Sequence, residues 1–354
     1  MKATFLTGPK QIRVAEVPEP ELNPAGSGKD AIVRVVAACV CGSDVWPYRT
    51  AREGMQPRPT GHEFVGVVEA VGPNVKNVKV GDFVITPFYI CCGECINCQR
   101  GWTNQCLHLG WYGAGVPGEG YAEGGQSAKV RVPLADGTLV VVPGADEHNE
   151  EQVKDLLTLS DVMATGYHAA ISGGVGPGKS VAIVGDGAVG LCAVIASKIL
   201  GAERIVMMSR HEKNQKLARE FGATDIVPLR GQEAVDHLKE MFDGIGPDCV
   251  LECVGTREAM AQAIQSARGG GQVGFVGVPH EGGSLDLGLM FGTNVGVRGG
   301  MATVRDYIEP LLERVQAGEI HPGKVFDMVF SLDDAAEAYA AMDERRAIKS
   351  MIRP

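Results

Sequence analysis

"SVAIVGDGAVGLCAVIASKILGA" (residues 180–202) opens on a short run of Val and Ile, turns through glycines and continues as a long apolar stretch. A branched apolar run bounded by Gly reads as a buried strand, and the longer stretch behind it reads as a helix. The turn itself, GDGAVG (185–190), is a G-x-G-x-x-G pattern that follows a strand and opens a helix, the context a dinucleotide fingerprint requires. Gly185 makes the turn, Gly187 lets backbone approach a pyrophosphate, and Gly190 lets helix lie against strand. With Ala188 and Val189 they form the candidate coenzyme-binding turn.

The same alternation continues outward. "RIVMMS" precedes "EKNQKLAREFGA", "DCVLECVG" precedes "REAMAQAIQSAR", and "GQVGFVGV" follows. Strands alternating with helices imply βαβ units and a parallel, doubly wound sheet. A second glycine motif, GGVGPGKS (173–180), matches the P-loop pattern, but it precedes its strand and Pro177 removes one N–H group. Its required context fails, and it reads as a turn. Helical pattern resumes at 304–318 and 332–344, and a short strand-like "KSMIRP" follows.

The residue ending the second strand of such a unit reports on the coenzyme. NAD sites place Asp or Glu about twenty residues past the fingerprint, on the ribose 2′-OH. Here that place reads Ser209-Arg210-His211, with no acid. A hydroxyl and a guanidinium suit a 2′-phosphate, which a carboxylate would repel, so NADP(H) is preferred over NAD(H). The competing reading is a solvated surface Arg in an NAD enzyme that lacks the acid.

At 354 residues two domains are expected, and 45% apolar residues suffice for packed cores. The formal charge of −10 argues against nucleic acid and anionic membrane surfaces as partners. No apolar run reaches the ~20 residues of a membrane span. The stretch MKATFLTGPKQIRVAEVP has neither the apolar core nor the cleavage site of a signal peptide, which places the chain in reducing cytoplasm. The first 150 residues are β-rich, with Val/Ile runs at 31–40, 64–72 and 82–88.

In that compartment a cysteine cluster points to metal rather than disulfides. "CCGECINCQRGWTNQC" (91–106) sets Cys92, Cys95 and Cys98 three apart, with Cys106 on a return arm and Cys91 left over. Four thiolates around Zn²⁺ leave no open position, so the site is structural. An iron–sulfur cluster shares the first spacing, but the C-x₃-C-P continuation is absent. Free thiols in a loop are the remaining reading.

Upstream, "CVCGSDVW" (39–46) and "TGHEF" (60–64) offer Cys41 and His62, donors that Zn²⁺ accepts, although each alone would more often be core. C-G-S-D, then G-H-E with "GVVEAVGPNVKNVKVGD", then the four-cysteine lobe, then the late G-x-G-x-x-G occur in this order along the whole chain. The order resembles the zinc-dependent medium-chain alcohol dehydrogenases. The resemblance implies an α/β protein with a GroES-like β-rich catalytic domain (1–160 and 300–354, the zinc lobe at 91–106) and a Rossmann NADP-binding domain (161–299). It implies two zinc ions per subunit: a catalytic one on Cys41, His62 and Asp161, where many members have Cys in place of the Asp, and a structural one on Cys92, Cys95, Cys98 and Cys106. Glu63 matches a neighbouring acid or transient fourth ligand, Asp44 the carboxylate that orients the zinc histidine, and Thr165 a residue near the nicotinamide.

The implied activity is hydride transfer between an alcohol carbon and NADP(H), with zinc as Lewis acid on the oxygen of a small alcohol, aldehyde or ketone. Ser43 matches the hydroxyl that passes the alcohol proton on; a turn-capping serine is its alternative. Three residues later many relatives carry a relay histidine, and here Trp46 stands there, which cannot shuttle a proton near neutral pH. A polyol or amino-alcohol dehydrogenase is the nearest rival, and a zinc-free quinone or enoyl reductase lacks this ligand set. A non-catalytic NADPH/zinc redox sensor is the rival from another class. Trp46, Trp111, Tyr112 and Met290 are candidates for an apolar substrate wall, and the resemblance suggests a homotetramer or homodimer.

Overall fold

The computed structural model describes residues 1–280, 282 and 285–354. The chain forms two compact units, Met1–Asp161 with Thr303–Pro354, and Val162–Ala302. Asp161, which the sequence reading put in the second unit, ends the first, and residues 300–302 belong to the second. Among the described residues no helix is long and apolar enough to cross a membrane.

Strands are numbered along the chain. In the first unit they are β1 (Lys2–Gly8), β2 (Gln11–Glu16), β3 (Ala31–Cys39), β4 (Arg58–Pro59), β5 (Phe64–Val71), β6 (Phe83–Ile85), β7 (Lys129–Val132) and β8 (Val140–Val141). The second unit holds β9 (Ser180–Val184), β10 (Arg204–Met208), β11 (Asp225–Val227), β12 (Cys249–Glu252), β13 (Gln272–Phe275) and β14 (Gly296–Gly299); β15 (Phe326–Ser331) and β16 (Lys349–Arg353) return to the first.

The main sheet of the first unit runs β15-β16-β3-β5-β6-β8, and β7 also pairs with β3. β3 is buried almost throughout, with Arg34 as its one half-buried position, paired with Glu147. Its early residues pair with β7, and Ala38 and Cys39 pair with Ile352 and Met351 of β16. Two register shifts against β5 bend the pair, as bulges do. Val33, Val35, Phe64, Val68, Val84 and Val130 close over this sheet as one core. The geometry matters for chemistry because three strand ends meet: β3 stops just before Cys41, β5 starts just after His62 and Glu63, and β16 starts at Lys349.

The second unit is the parallel sheet expected from the alternation, in the order β11-β10-β9-β12-β13-β14. The order reverses between β9 and β12, the switch point at whose C-terminal side doubly wound sheets bind ligands. The GDGAVG turn sits there, at the end of β9.

Candidate metal centres and coenzyme turn

Cys41 precedes the helix Gly42–Thr50, whose first turn carries Asp44. One Asp44 oxygen accepts from the Cys41 N–H at 3.0 Å, and the other lies 3.4 Å from His62 Nδ1. The carboxylate that starts the helix therefore also fixes the imidazole, leaving Nε2 as its free donor atom. His62 Nε2 is 3.8 Å from an Asp161 oxygen, which is 3.6 Å from Cys41 Sγ. Donor atoms of Cys41, His62, Glu63 and Asp161 all lie within 4.8 Å of one another.

The electrostatics of this group suit a cation. Burial, then Glu63 and Asp161, push the Cys41 thiol up to about 11. Burial opposes a charged imidazole at His62, yet Asp44 and Cys41 outweigh it and hold His62 well above its usual range. Neighbouring negative charge contributes to both shifts, adding to burial at Cys41 and overcoming it at His62, and a thiolate, an imidazole and a carboxylate form a donor set that zinc takes.

Glu63 is set apart from Cys41, His62 and Asp161 by a buried cation on one oxygen and a thiol on the other. Oε1 accepts from Lys349 Nζ at 2.8 Å and Oε2 from the Cys39 thiol at 3.1 Å. Glu63 and Lys349 are 0% and 1% exposed, and Lys349 also donates to the Val40 carbonyl. The ion pair neutralises Glu63, so a divalent ion on Cys41, His62 and Asp161 would meet two remaining negative charges.

In the cysteine lobe, Sγ distances run from 3.5 Å (Cys95–Cys98, Cys92–Cys106) through 3.9 Å (Cys95–Cys106) to 4.0 Å (Cys92–Cys98). Four sulfurs on one tetrahedral ion with ~2.3 Å bonds would stand about 3.8 Å apart, so the lobe fits zinc. Backbone N–H groups of Cys95, Leu107 and His108 point at Cys92, Cys95 and Cys106 sulfurs. Burial pushes the Cys95 thiol up, but the Leu107 and Cys98 N–H groups and the Cys98 and Cys92 thiols outweigh it and bring it to about 6. Gly137 lets the lobe lie on the body of the unit, since a Cβ there would come within 2.2 Å of the Cys92 carbonyl carbon. Cys91 donates to the Gly137 carbonyl instead of joining the four. Cys98→Ser is expected to lower zinc content by about one equivalent per chain, measured by atomic absorption, while the Cys41 group keeps its metal.

In the coenzyme turn, Gly185 has φ +107° and a Cβ at Gly190 would lie 1.8 Å from the Gly185 carbonyl oxygen. Neither position admits another residue without moving backbone. A Cβ at Gly187 would meet nothing within 4 Å, so open space lies before the helix Ala188–Ile199 that begins with Ala188 and Val189. The stretch Ser209-Arg210-His211 carries no acid of its own, but the fold brings one beside it. The Ser209 hydroxyl donates to Asp186 Oδ2 at 2.6 Å, and His211 Nδ1 lies 2.7 Å from the same oxygen. Ser209 is buried and Arg210 exposed, so Arg210 is the donor left open to solvent.

Residues 27–144 match the alcohol dehydrogenase GroES-like domain, and residues 188–317 match the zinc-binding dehydrogenase domain. The chain belongs to the zinc-type medium-chain alcohol dehydrogenases. It is 32% identical to a zinc-type alcohol dehydrogenase-like protein of Bacillus subtilis (strain 168), with 100% of both chains covered. It is 30% identical to the formaldehyde dismutase of Pseudomonas putida, over 100% of this chain and 97% of that one. Among solved structures, the alcohol dehydrogenase TADH from Thermus sp. ATN1 superimposes with a TM-score of 0.89 at 31% identity, over 100% of each chain.

The other residues singled out for this dehydrogenase are dispersed. Ser43 and Trp46 are half-buried on the helix Gly42–Thr50. Thr165 is buried on the second unit's helix Val162–Ser172. Tyr112 packs edge-on against Phe64 at 4.9 Å and supports the core, while Trp111 is 42% exposed. Met290 packs on the core of the second unit. Two partners escaped the sequence reading, Lys349 and Asp186. A lone Lys in a strand-like segment carries no signal, but an acid inside the fingerprint does: its side chain must lie near the end of the next strand.

Proposed function

We propose that this dehydrogenase oxidises small alcohols and reduces aldehydes or ketones, with a catalytic zinc on Cys41, His62 and Asp161, a structural zinc on Cys92, Cys95, Cys98 and Cys106, and NADP(H) as preferred coenzyme. The observation that carries the reading is the three-donor group around Cys41, because three protein ligands are what catalytic zinc sites use while structural sites use four. Zinc held there supplies a Lewis acid for the substrate oxygen and eases loss of the alcohol proton. Asp44 holds the His62 ring so that Nε2 faces the metal, the arrangement metal-bound imidazoles need. Lys349 and Cys39 keep Glu63 occupied and the site at low net charge. Ser43, on the first turn after Cys41, matches the family hydroxyl that passes the alcohol proton on. Trp46 cannot continue that path, so the proton leaves by another group or by water.

Arg210, exposed just past β10, supports NADP(H). The relative named as formaldehyde dismutase makes short aldehydes the first substrates to try. Exposed Leu287 and Phe291 accord with a homodimer or homotetramer, and the gathering of four cysteines into one metal-type group accords with reducing cytoplasm.

The test is loss of reduced-nicotinamide absorbance by zinc-replete protein with formaldehyde, benzaldehyde and a short aliphatic aldehyde, NADPH and NADH in parallel. Turnover faster with subsaturating NADPH is expected. Equal rates, or a preference for NADH, would remove the NADP(H) assignment and leave the dehydrogenase standing. No turnover of any carbonyl or polyol, with both zinc ions bound, would favour the redox sensor.

A further inference from the structure

We propose that Asp186, the second residue of the GDGAVG turn, is the determinant that limits preference for NADP(H), acting as the acid that the end of β10 lacks. This deepens the coenzyme reading above and rests on it. The observations lie within the second unit. β9 and β10 pair in parallel with Val184 opposite Met208, so residues just past each strand are neighbours. Asp186 is thereby set beside Ser209 and His211, and its carboxylate side chain is 15% exposed. Asn214 Nδ2 donates to the Asp186 carbonyl at 2.7 Å and Gln215 Nε2 to the Ser209 carbonyl at 2.8 Å, which fix both backbones to the following helix, Glu212–Phe221.

Two consequences follow for a 2′-phosphate read at this strand end. Ser209 has one proton, and it points at Asp186; its oxygen also accepts from the His211 N–H at 3.3 Å. A hydroxyl so engaged offers nothing to a phosphate oxygen. The carboxylate also places negative charge where a dianion would sit, against the exposed Arg210. A ribose 2′-OH has neither difficulty. Asp186→Asn keeps the side-chain shape and the acceptor oxygen toward Ser209 and His211, yet raises the net charge of the site by one in either protonation state of His211.

The experiment measures affinities of the zinc-replete full chain for 2′,5′-ADP and 5′-AMP by calorimetry, so that no reaction step enters. D186N is expected to tighten 2′,5′-ADP by about tenfold and to change 5′-AMP by less than about twofold. Unchanged 5′-AMP affinity shows at the same time that the turn remains intact. S209A should leave 2′,5′-ADP within about twofold, because that hydroxyl is already engaged. Weaker or unaltered 2′,5′-ADP binding in D186N, a parallel change in both ligands, or a tenfold loss in S209A would each overturn the proposal. Arg210→Ala separates the underlying reading: if it leaves 2′,5′-ADP unweakened, Arg210 is not the phosphate ligand and the NADP(H) reading falls, whatever D186N does.

Discussion

Asp161→Ala should lower aldehyde-reducing kcat/KM by on the order of 10³, about 4 kcal/mol of transition-state stabilisation, and zinc content from about two to about one per chain. The physical case is the charge count around Cys41. With Glu63 neutralised by Lys349, Cys41 and Asp161 supply the two negative charges that balance a divalent ion. Alanine removes one of them and one of three donors. Asp161→Cys is the control: it restores a donor and a charge, and should recover metal content and most of the activity. Paired measurement of zinc by atomic absorption and of initial rates checks both. D161A that keeps both metals and its rate would show that Asp161 is not a ligand.

Lys349→Met should destabilise the first unit by about 3–5 kcal/mol in urea unfolding, the cost of leaving a buried carboxylate without its partner. Glu63 is 0% exposed, and its other contact, the Cys39 thiol, is a weak donor that cannot replace an ammonium. Adding Glu63→Gln to Lys349→Met removes the unpaired charge, so the double variant should recover more than half of the loss. A single variant within about 1 kcal/mol of the wild type would mean that Glu63 finds another cation, and zinc content of that variant would show whether it is the catalytic ion.

Legibility in the sequence followed the range of each interaction. The GDGAVG turn and the cysteine lobe are local, and their spacing alone was enough to expect the strand-to-helix turn and the grouping of four thiols that the structure has. Cys41 and His62 stood on recognisable short motifs, but only the family resemblance joined them to Asp161, 120 residues from Cys41. Asp186 was hidden for a smaller reason. The fingerprint treats its position as arbitrary, and the acid was sought at the end of β10 rather than in the turn beside it, although parallel pairing brings the two together. Lys349 lies 286 residues from Glu63 in an ordinary strand, and no periodicity or motif could have paired them. Tyr112, for which wall and core both stood open, packs on the core and also lines the cavity beside Asp44 and His62.

The chain's passage through the second unit before β15 and β16 are made has a consequence for synthesis. Residues 162–302 are contiguous, so that unit has all its strands as soon as it emerges from the ribosome. The first unit must wait: until β16 arrives, the end of β3 lacks a neighbour and Glu63 lacks its cation. For that interval the half-made sheet displays an unpaired strand edge and a carboxylate without its cation, the kind of nascent state that chaperones hold. Pulse-labelled chains should therefore gain protease resistance in the nucleotide-binding half first and in the zinc-bearing half last.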